Sequence, residues 1–320
     1  MPAYARAVRR FRLSPSAYRK IVLVAGFLLA VIIVTGAAVR LTGSGLGCPD
    51  WPNCEPGRLT PKGADGGHAI VEFVNRMFTG AVSIAVIVCV LGSFLRDPRR
   101  RDLIWLSLGL VAGVLAQAVV GGLTVIFDLR PEFVMTHFLL SLVLLTDAIV
   151  LYKRAGDPHT KSALQVEPGI RTWGRLLVVM ACVVVTTGTV VTSTGPHGGD
   201  KEAKRFAFDI SHVARIHGVS VMIFLGLTLV ILRLLRRSHA PEATVTRLGA
   251  VLLVACIQAA IGYIQYFNGI PALLVGLHIA GATALWTAVI WFYLGLFTRS
   301  RPDAALRDVR GASPEELLRA

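Results

Sequence analysis

Stretches of roughly 20 apolar residues, each long enough to cross a hydrocarbon core of about 30 Å, recur along the whole of this 320-residue chain. They fall at Ile21–Val39, Ile70–Leu95, Leu103–Phe127, Phe133–Tyr152, Trp173–Thr192, Ile210–Leu235, Leu248–Phe267 and Ala272–Phe297. Eight such stretches set lipid as the solvent. Composition agrees, with only 16% of residues charged against about 25% in a soluble domain. The first stretch has no small-residue cleavage site and belongs to a series, so it reads as a span and not as a removable signal peptide.

The net charge of +14 would suit nucleic acid if it were spread over one surface, but it is sorted by loop. With eight spans, 24 of the 33 lysines and arginines fall on the side of the N-terminus, including Arg9–Arg10–Arg12, Arg96–Arg101, Lys153–Arg154 and Arg233–Arg237. This is the positive-inside bias of a multi-pass bacterial inner-membrane protein with both termini cytoplasmic. The basic charge is therefore a topology signal, and no nucleic-acid partner is expected. Of five cysteines, Cys89, Cys182 and Cys256 lie in apolar spans and read as small core residues. Cys48 and Cys54 share an outer loop, GLGCPDWPNCEPG, on the oxidising side, where such a pair favours a disulfide.

An internal repeat organises the chain. QAVVGGLTVIFDLRPEFVMTH, ending at His137, lies over QAAIGYIQYFNGIPALLVGLH, ending at His278, with Gln117 matching Gln258 and Gly121 matching Gly262. Thr35–Gly36 likewise matches Thr187–Gly188, and Asn75 then falls on His217 and Glu72 on Ala214. The expected fold is an all-α integral membrane protein of eight transmembrane helices, arranged as two tandem four-helix bundles related by a pseudo-twofold repeat. The expected segments are a basic N-terminal segment (1–19), an N-terminal half (20–155), a cytoplasmic linker (156–170), a C-terminal half (171–298) and a cytoplasmic tail (299–320).

Each half then offers one candidate ligand position near the outer end of its second helix and one on its fourth. In the C-terminal half these are His217 and His278, and two imidazoles on facing helices supply both axial positions of a heme iron. In the N-terminal half they are His137 and Asn75, a poor heme ligand, with the carboxylate Glu72 one turn away where it can act as an acid or base. One half thus reads as a closed electron-transfer site, the other as an open site with a proton-handling group. Arg76 and Arg215, next to the ligand positions, are candidates for pairing with heme propionates. His68, His197 and His212 are outer-side residues with no assigned part, and His159 and His239 are cytoplasmic.

VEFVNR at Val71–Arg76, THF around His137, ARIHG around His217, GLHIAG around His278 and the cysteine-bearing loop together resemble the CtaA/Cox15 family of heme A synthases over about Tyr18–Phe297. The resemblance implies one heme per half and oxidation of the C8 methyl group of heme O to a formyl group, giving heme A for aa3-type oxidases. It implies that His217 and His278 hold a resident heme b, that Glu72 is catalytic, that His137 ligates the substrate heme, and that Cys48 and Cys54 form the family's outer-loop pair. Partners implied are a heme O synthase as the source of heme O, an electron donor and cytochrome oxidase assembly factors. A homo-oligomer is compatible with the pattern. The chain departs from the E-x-x-H-R pattern in carrying Asn75 where many members have His. Two other readings use part of the same pattern. A quinone-linked b-type cytochrome needs the histidine pair but not Glu72, and a heme carrier or transporter needs the repeat but no chemistry.

Overall fold

The structure is a computed structural model that describes residues 12–48, 50–61, 67–157 and 162–298. Most of the basic N-terminal segment (Arg9 and Arg10 included), the centre of the 156–170 linker with His159, and the 299–320 tail lie outside the described residues. Eight helices carry the fold: α1 Pro15–Leu41, α2 Gly67–Leu95, α3 Arg101–Ile126, α4 Pro131–Gly156, α5 Pro168–Thr194, α6 Ile210–Arg237, α7 Glu242–Phe267 and α8 Ala272–Leu294. All eight are long and apolar enough to cross a membrane. Only 17–33% of each apolar window is buried inside the fold. Side chains such as Phe27, Trp105, Leu115, Val143 and Leu253 point outward, an arrangement that only lipid solvates cheaply. The chain is a multi-pass membrane protein.

The helices run past the apolar stretches where local chemistry lets them. Helix α1 begins at Pro15, ahead of the stretch at Ile21, because Ser14 caps it: its Oγ accepts from the Ala17 amide at 3.2 Å, and Pro15 sits in the first turn, where no amide proton is needed. Asp209 caps α6 by accepting from the amides of Ser211 at 2.7 Å and His212 at 3.1 Å. The Ser211 side chain first, and then the two amides, hold its carboxyl below the ordinary range. At the other end of the chain the expected span to Phe297 is corrected. Helix α8 stops at Leu294, and Phe297–Thr298 (β2) pairs antiparallel with Ala163–Leu164 (β1). The expected 156–170 linker is therefore partly strand, and α5 already starts at Pro168 rather than 171. Gly295 ends the helix, its amide donating to the Trp291 and Phe292 carbonyls at 3.0 and 2.9 Å.

Helices α1 to α4 pack as a closed ring, with α1 on α2 and α4, and α3 on α2 and α4; helices α5 to α8 form a second ring in the same way. The rings meet through α1 and α4 on one side and α5 and α8 on the other. Lipid tails are as apolar as leucine, so such packing depends on close fit rather than on water exclusion. Small residues provide it: a Cβ on Gly113 would stand 2.4 Å from the Leu144 side chain, and one on Gly92 would stand 3.1 Å from the ring of Tyr18. Cys89 is buried as expected, whereas Cys182 and Cys256 are exposed on the outward faces of α5 and α7. A thiol is apolar enough to face lipid, so its presence in a span does not place it in the core.

The α3–α4 and α7–α8 turns share an unusual backbone. Asp128 and Leu129 have φ of 51° and 57°, and Gly269 and Ile270 have 75° and 58°. Two consecutive left-handed residues reverse the chain tightly, at a cost of roughly 1–2 kcal/mol for each non-glycine. Leu129 is held there by burial, packed where Cβ atoms on Gly45 or Gly199 would collide with it.

Candidate functional site

The C-terminal ends of α1, α3, α5 and α7 and the N-terminal ends of α2, α4, α6 and α8 share one end of the molecule, with the Cys48–Cys54 loop between α1 and α2. Glu72, Asn75, His137, His217 and His278 all lie within the first three turns of their helices, roughly 10 Å below that end.

His217 on α6 and His278 on α8 face each other across the second ring, with ring centroids 6.4 Å apart and planes at 84°. Two imidazole nitrogens at about 2.0–2.1 Å from one first-row metal would place their ring centroids roughly 6 Å apart, so the pair fits an iron held between them. His217 is oriented for it. Thr187 Oγ1 lies 3.1 Å from His217 Nδ1, and the same hydroxyl donates to the carbonyls of Val183 and Val184 at 2.9 and 3.0 Å. A hydroxyl has one proton; spent on a carbonyl, it leaves the oxygen to accept from Nδ1–H. The ring proton is then on Nδ1 and the Nε2 lone pair is free for a metal. Glycines clear the space beside each ring: a Cβ at Gly188 would stand 3.1 Å from His217 Cε1, and one at Gly262 would stand 3.3 Å from His278 Cε1.

The first ring holds a cavity of about 480 Å³ whose lining includes Glu72, Asn75, Arg76, Gln117 and His137. Gly121 lies under His137 as Gly262 lies under His278, 3.2 Å from Cε1 for an added Cβ. The buried Nδ1 of His137, like that of His278 in the second ring, has no partner among the described residues, an atom that a bound group or water would be expected to satisfy. Gln117 reaches the same helix, its Nε2 donating to Ser141 Oγ at 2.6 Å and to the His137 carbonyl at 3.2 Å. Asn75 occupies the place of His217, and its partner matches too: Thr35 Oγ1 donates to Asn75 Oδ1 at 2.9 Å. The two aligned pairs, Thr35–Asn75 and Thr187–His217, meet at the same place in the two rings, but the hydroxyl donates to the amide oxygen in one and accepts from the imidazole in the other.

Glu72 lines the cavity but is only 6% exposed. Its Oε2 accepts from the Cys48 amide at 2.8 Å, and its Oε1 accepts from Arg76 at 2.6 and 3.1 Å. Arg76 also donates to the carbonyls of Cys48, Asp50 and Asn53 at 3.1, 3.0 and 2.7 Å. Those contacts use all five guanidinium protons. Arg76 therefore clamps the Cys48–Cys54 loop onto Glu72 and has no donor left for a propionate. The cysteines are disulfide-bonded and buried. Trp51 of the same loop enters the cavity lining, packed on α3 at Gly122.

The remaining candidates separate by position. Arg215 is exposed on α6 and has no hydrogen bond among the described residues. His68 Nδ1 meets Ser44 Oγ at 2.9 Å, His197 Nε2 meets the Ile270 carbonyl at 2.8 Å, and His212 is exposed at the start of α6. The first two pin loops. Arg40, Thr189, Ser193, Gly198 and Gly199 also line the cavity, although neither spacing nor periodicity singles them out. Arg40 alone had a legible signal, a cation at the end of the first span.

Comparison with known proteins identifies the family. A family model described as COX15-CtaA, cytochrome oxidase assembly protein, matches residues 19–196, more than half the chain. The chain is similar to a heme A synthase of Bacillus pumilus, 29% identical over 185 residues that cover 56% of this chain and 59% of that protein. It is 31% identical to a heme A synthase of Lysinibacillus sphaericus over 170 residues, 52% of this chain and 55% of the relative. Those two alignments span little more than half the length of the relatives. A heme A synthase of Listeria welshimeri aligns over 287 residues, 86% of this chain and 93% of its own length, at 25% identity. Eight spans, a clamped cysteine loop and the facing histidines thus accompany a match over half the sequence, and the chain belongs to the COX15-CtaA family.

Proposed function

We propose that this chain is a heme A synthase of a bacterial inner membrane, oxidising the C8 methyl group of heme O to a formyl group through two successive hydroxylations. Each takes one oxygen atom from dioxygen with two electrons and two protons and releases water, and the resulting diol then loses water. The observation that carries the reading is the pairing of two unlike rings. One has a cavity bearing Glu72, Asn75 and a single imidazole, His137; the other has two imidazoles, His217 and His278, face to face. In this reading the N-terminal half (20–155) takes heme O from the lipid with His137 as its ligand, and the C-terminal half (171–298) is the resident heme b site. Both sites lie toward the outer face, and both termini are cytoplasmic. A heme b at His217 and His278 supplies one-electron transfer. An external donor feeds it, a heme O synthase supplies the substrate, and cytochrome oxidase assembly factors take up the product.

The chain's own residues do the rest. Thr187 and the Val184 carbonyl hold the His217 proton on Nδ1, and the glycines beside the three imidazoles leave room for a flat ligand. Asn75, held through Oδ1 by Thr35, has an amide nitrogen without a partner among the described residues, so it hydrogen-bonds rather than ligates. Glu72, fixed at the cavity wall by Arg76 and the Cys48 amide, accepts and returns the proton at its Oε2.

The test is complementation of a bacterium that lacks its own heme A synthase but keeps its heme O source and respiratory donors, followed by heme extraction and chromatography. Heme A or its hydroxylated precursor should appear with the intact chain. Glu72→Gln preserves size and one acceptor oxygen and should leave heme O unconverted at matched protein level. Full conversion by that variant would remove Glu72 from the mechanism. Unconverted heme O beside an intact low-spin heme b spectrum in the unmodified chain would turn the reading to an electron-transfer cytochrome.

A further inference from the structure

The wall of the first ring's cavity that faces the second ring carries a cation with no counter-ion among the described residues. Arg40 stands in the last turn of α1. Its Nη2 donates to the Thr192 carbonyl at 2.8 Å, while its buried Nε has no partner among the described residues. No carboxylate forms an ion pair with it among the described residues, and its charged neighbour is another cation, the exposed Arg205. A guanidinium in such a place is costly unless something anionic reaches it.

The surroundings are built to admit that group. Ser193 lines the same cavity, is 3% exposed, and its Oγ has no partner among the described residues. Gly198 and Gly199 of the α5–α6 loop complete the wall. Gly199 has φ +105°, and a Cβ there would stand 3.3 Å from Arg40 Cγ. Its carbonyl accepts from the Gly45 amide at 2.8 Å, joining the two loops beside the arginine. Thr192, Ser193, Gly198 and Gly199 all come from the second half of the chain. The alignment that matches Thr35 with Thr187 also matches Arg40 with Thr192, the residue it touches. The cation is therefore present in one ring only, at the seam where the rings meet.

We propose that Arg40 and Ser193 bind a carboxylate of the cavity's ligand. Resting on the reading above, that carboxylate is a propionate of the porphyrin substrate. Arg40 takes the role that Arg76 cannot fill, since every Arg76 donor is already spent on Glu72 and the cysteine loop. The consequence is an orientation: the propionate edge of the substrate faces α5, and the second ring contributes to binding in the first.

The experiment is fluorescence titration of the purified full-length protein in detergent, with its resident heme in place, using zinc protoporphyrin and its dimethyl ester as probes. The two differ only in the carboxylates. The unmodified chain should bind the diacid about tenfold or more tightly than the ester, as expected for a charge-assisted contact. Arg40→Gln should abolish that preference and leave ester binding within about twofold, with Arg40→Lys restoring part of it. Ser193→Ala, a milder change, should reduce the preference by about two- to fivefold. His137→Ala should weaken both probes alike, which shows that the titration reads this cavity. If Arg40→Gln and Ser193→Ala both keep the full preference for the diacid, the carboxylate assignment is wrong while the porphyrin reading stands. If the unmodified chain binds neither probe, both fall together.

Discussion

At the scale of single residues, the site depends on what stands one bond behind each ligand. Thr187 has no contact with a metal in this arrangement, yet with the Val184 carbonyl it holds the His217 proton on Nδ1. Thr187→Val keeps the shape and removes one of the two acceptors, at a cost of about 0.5–1.5 kcal/mol. The expected result is loss of much of the low-spin heme b absorbance, with the rest at a shifted midpoint potential. Thr187→Ser should restore it. An unchanged spectrum and potential in Thr187→Val would show that another group sets the tautomer. The histidines themselves were legible as repeat-related polar residues in apolar spans. Their second partners were not, because a threonine in a membrane helix usually bonds to its own preceding turn, as Thr187 also does.

Among the elements, the described part of the segment between α1 and α2 is held by polar contacts from α2. The sequence indicated the Cys48–Cys54 link through composition and side of the membrane. It gave no sign that Glu72 and Arg76 grip the same loop from α2, because a hydrogen bond from a helix to a loop's backbone carbonyls has no sequence pattern. The two fastenings differ in kind. A disulfide closing so short a loop restrains the unfolded chain by about 2 kcal/mol. Removing Arg76 leaves a carboxylate with 8% exposure without its counter-ion, and such losses run to about 3–5 kcal/mol. Arg76→Ala should therefore lower the thermal midpoint in detergent more than Cys48→Ser with Cys54→Ser, and should expose the loop to protease. The reverse order would make the disulfide the main fastening. The short pairing of Ala163–Leu164 with Phe297–Thr298 was likewise invisible, since two residues are too few to show an alternation.

For the whole molecule, the seam between the rings decides how the halves cooperate. Besides the contacts of Arg40, it is crossed by Trp286 of α8, whose indole Nε1 donates to Thr146 Oγ1 at 2.9 Å and to the Leu142 carbonyl at 3.2 Å. Hydrogen bonds between membrane helices contribute about 0.6 kcal/mol on average and up to about 1.7. Trp286→Phe should thus lower unfolding stability by roughly 1 kcal/mol, read from denaturation in mixed micelles, without changing heme binding at His217 and His278. A large loss of heme from that variant would mean that the seam also shapes the second ring's site.

The sequence by itself determined the solvent, the number of spans, the polar positions that can hold a ligand and the disulfide-bearing loop. Each of these is written in local hydropathy or in a repeat spacing, which act along the chain. Tertiary structure decided which of those residues share a space. It put Glu72, Asn75 and His137 around one cavity, took Arg76 out of ligand binding by spending its donors, sent Cys182 and Cys256 to the outward faces, and brought Arg40 against Thr192, on the cavity that Ser193 also lines. The physical reason is common to all four. Helix periodicity fixes which face a side chain occupies, but the rotation of each helix is set by the close fit of glycines and side chains on its neighbours, and no single helix carries that information.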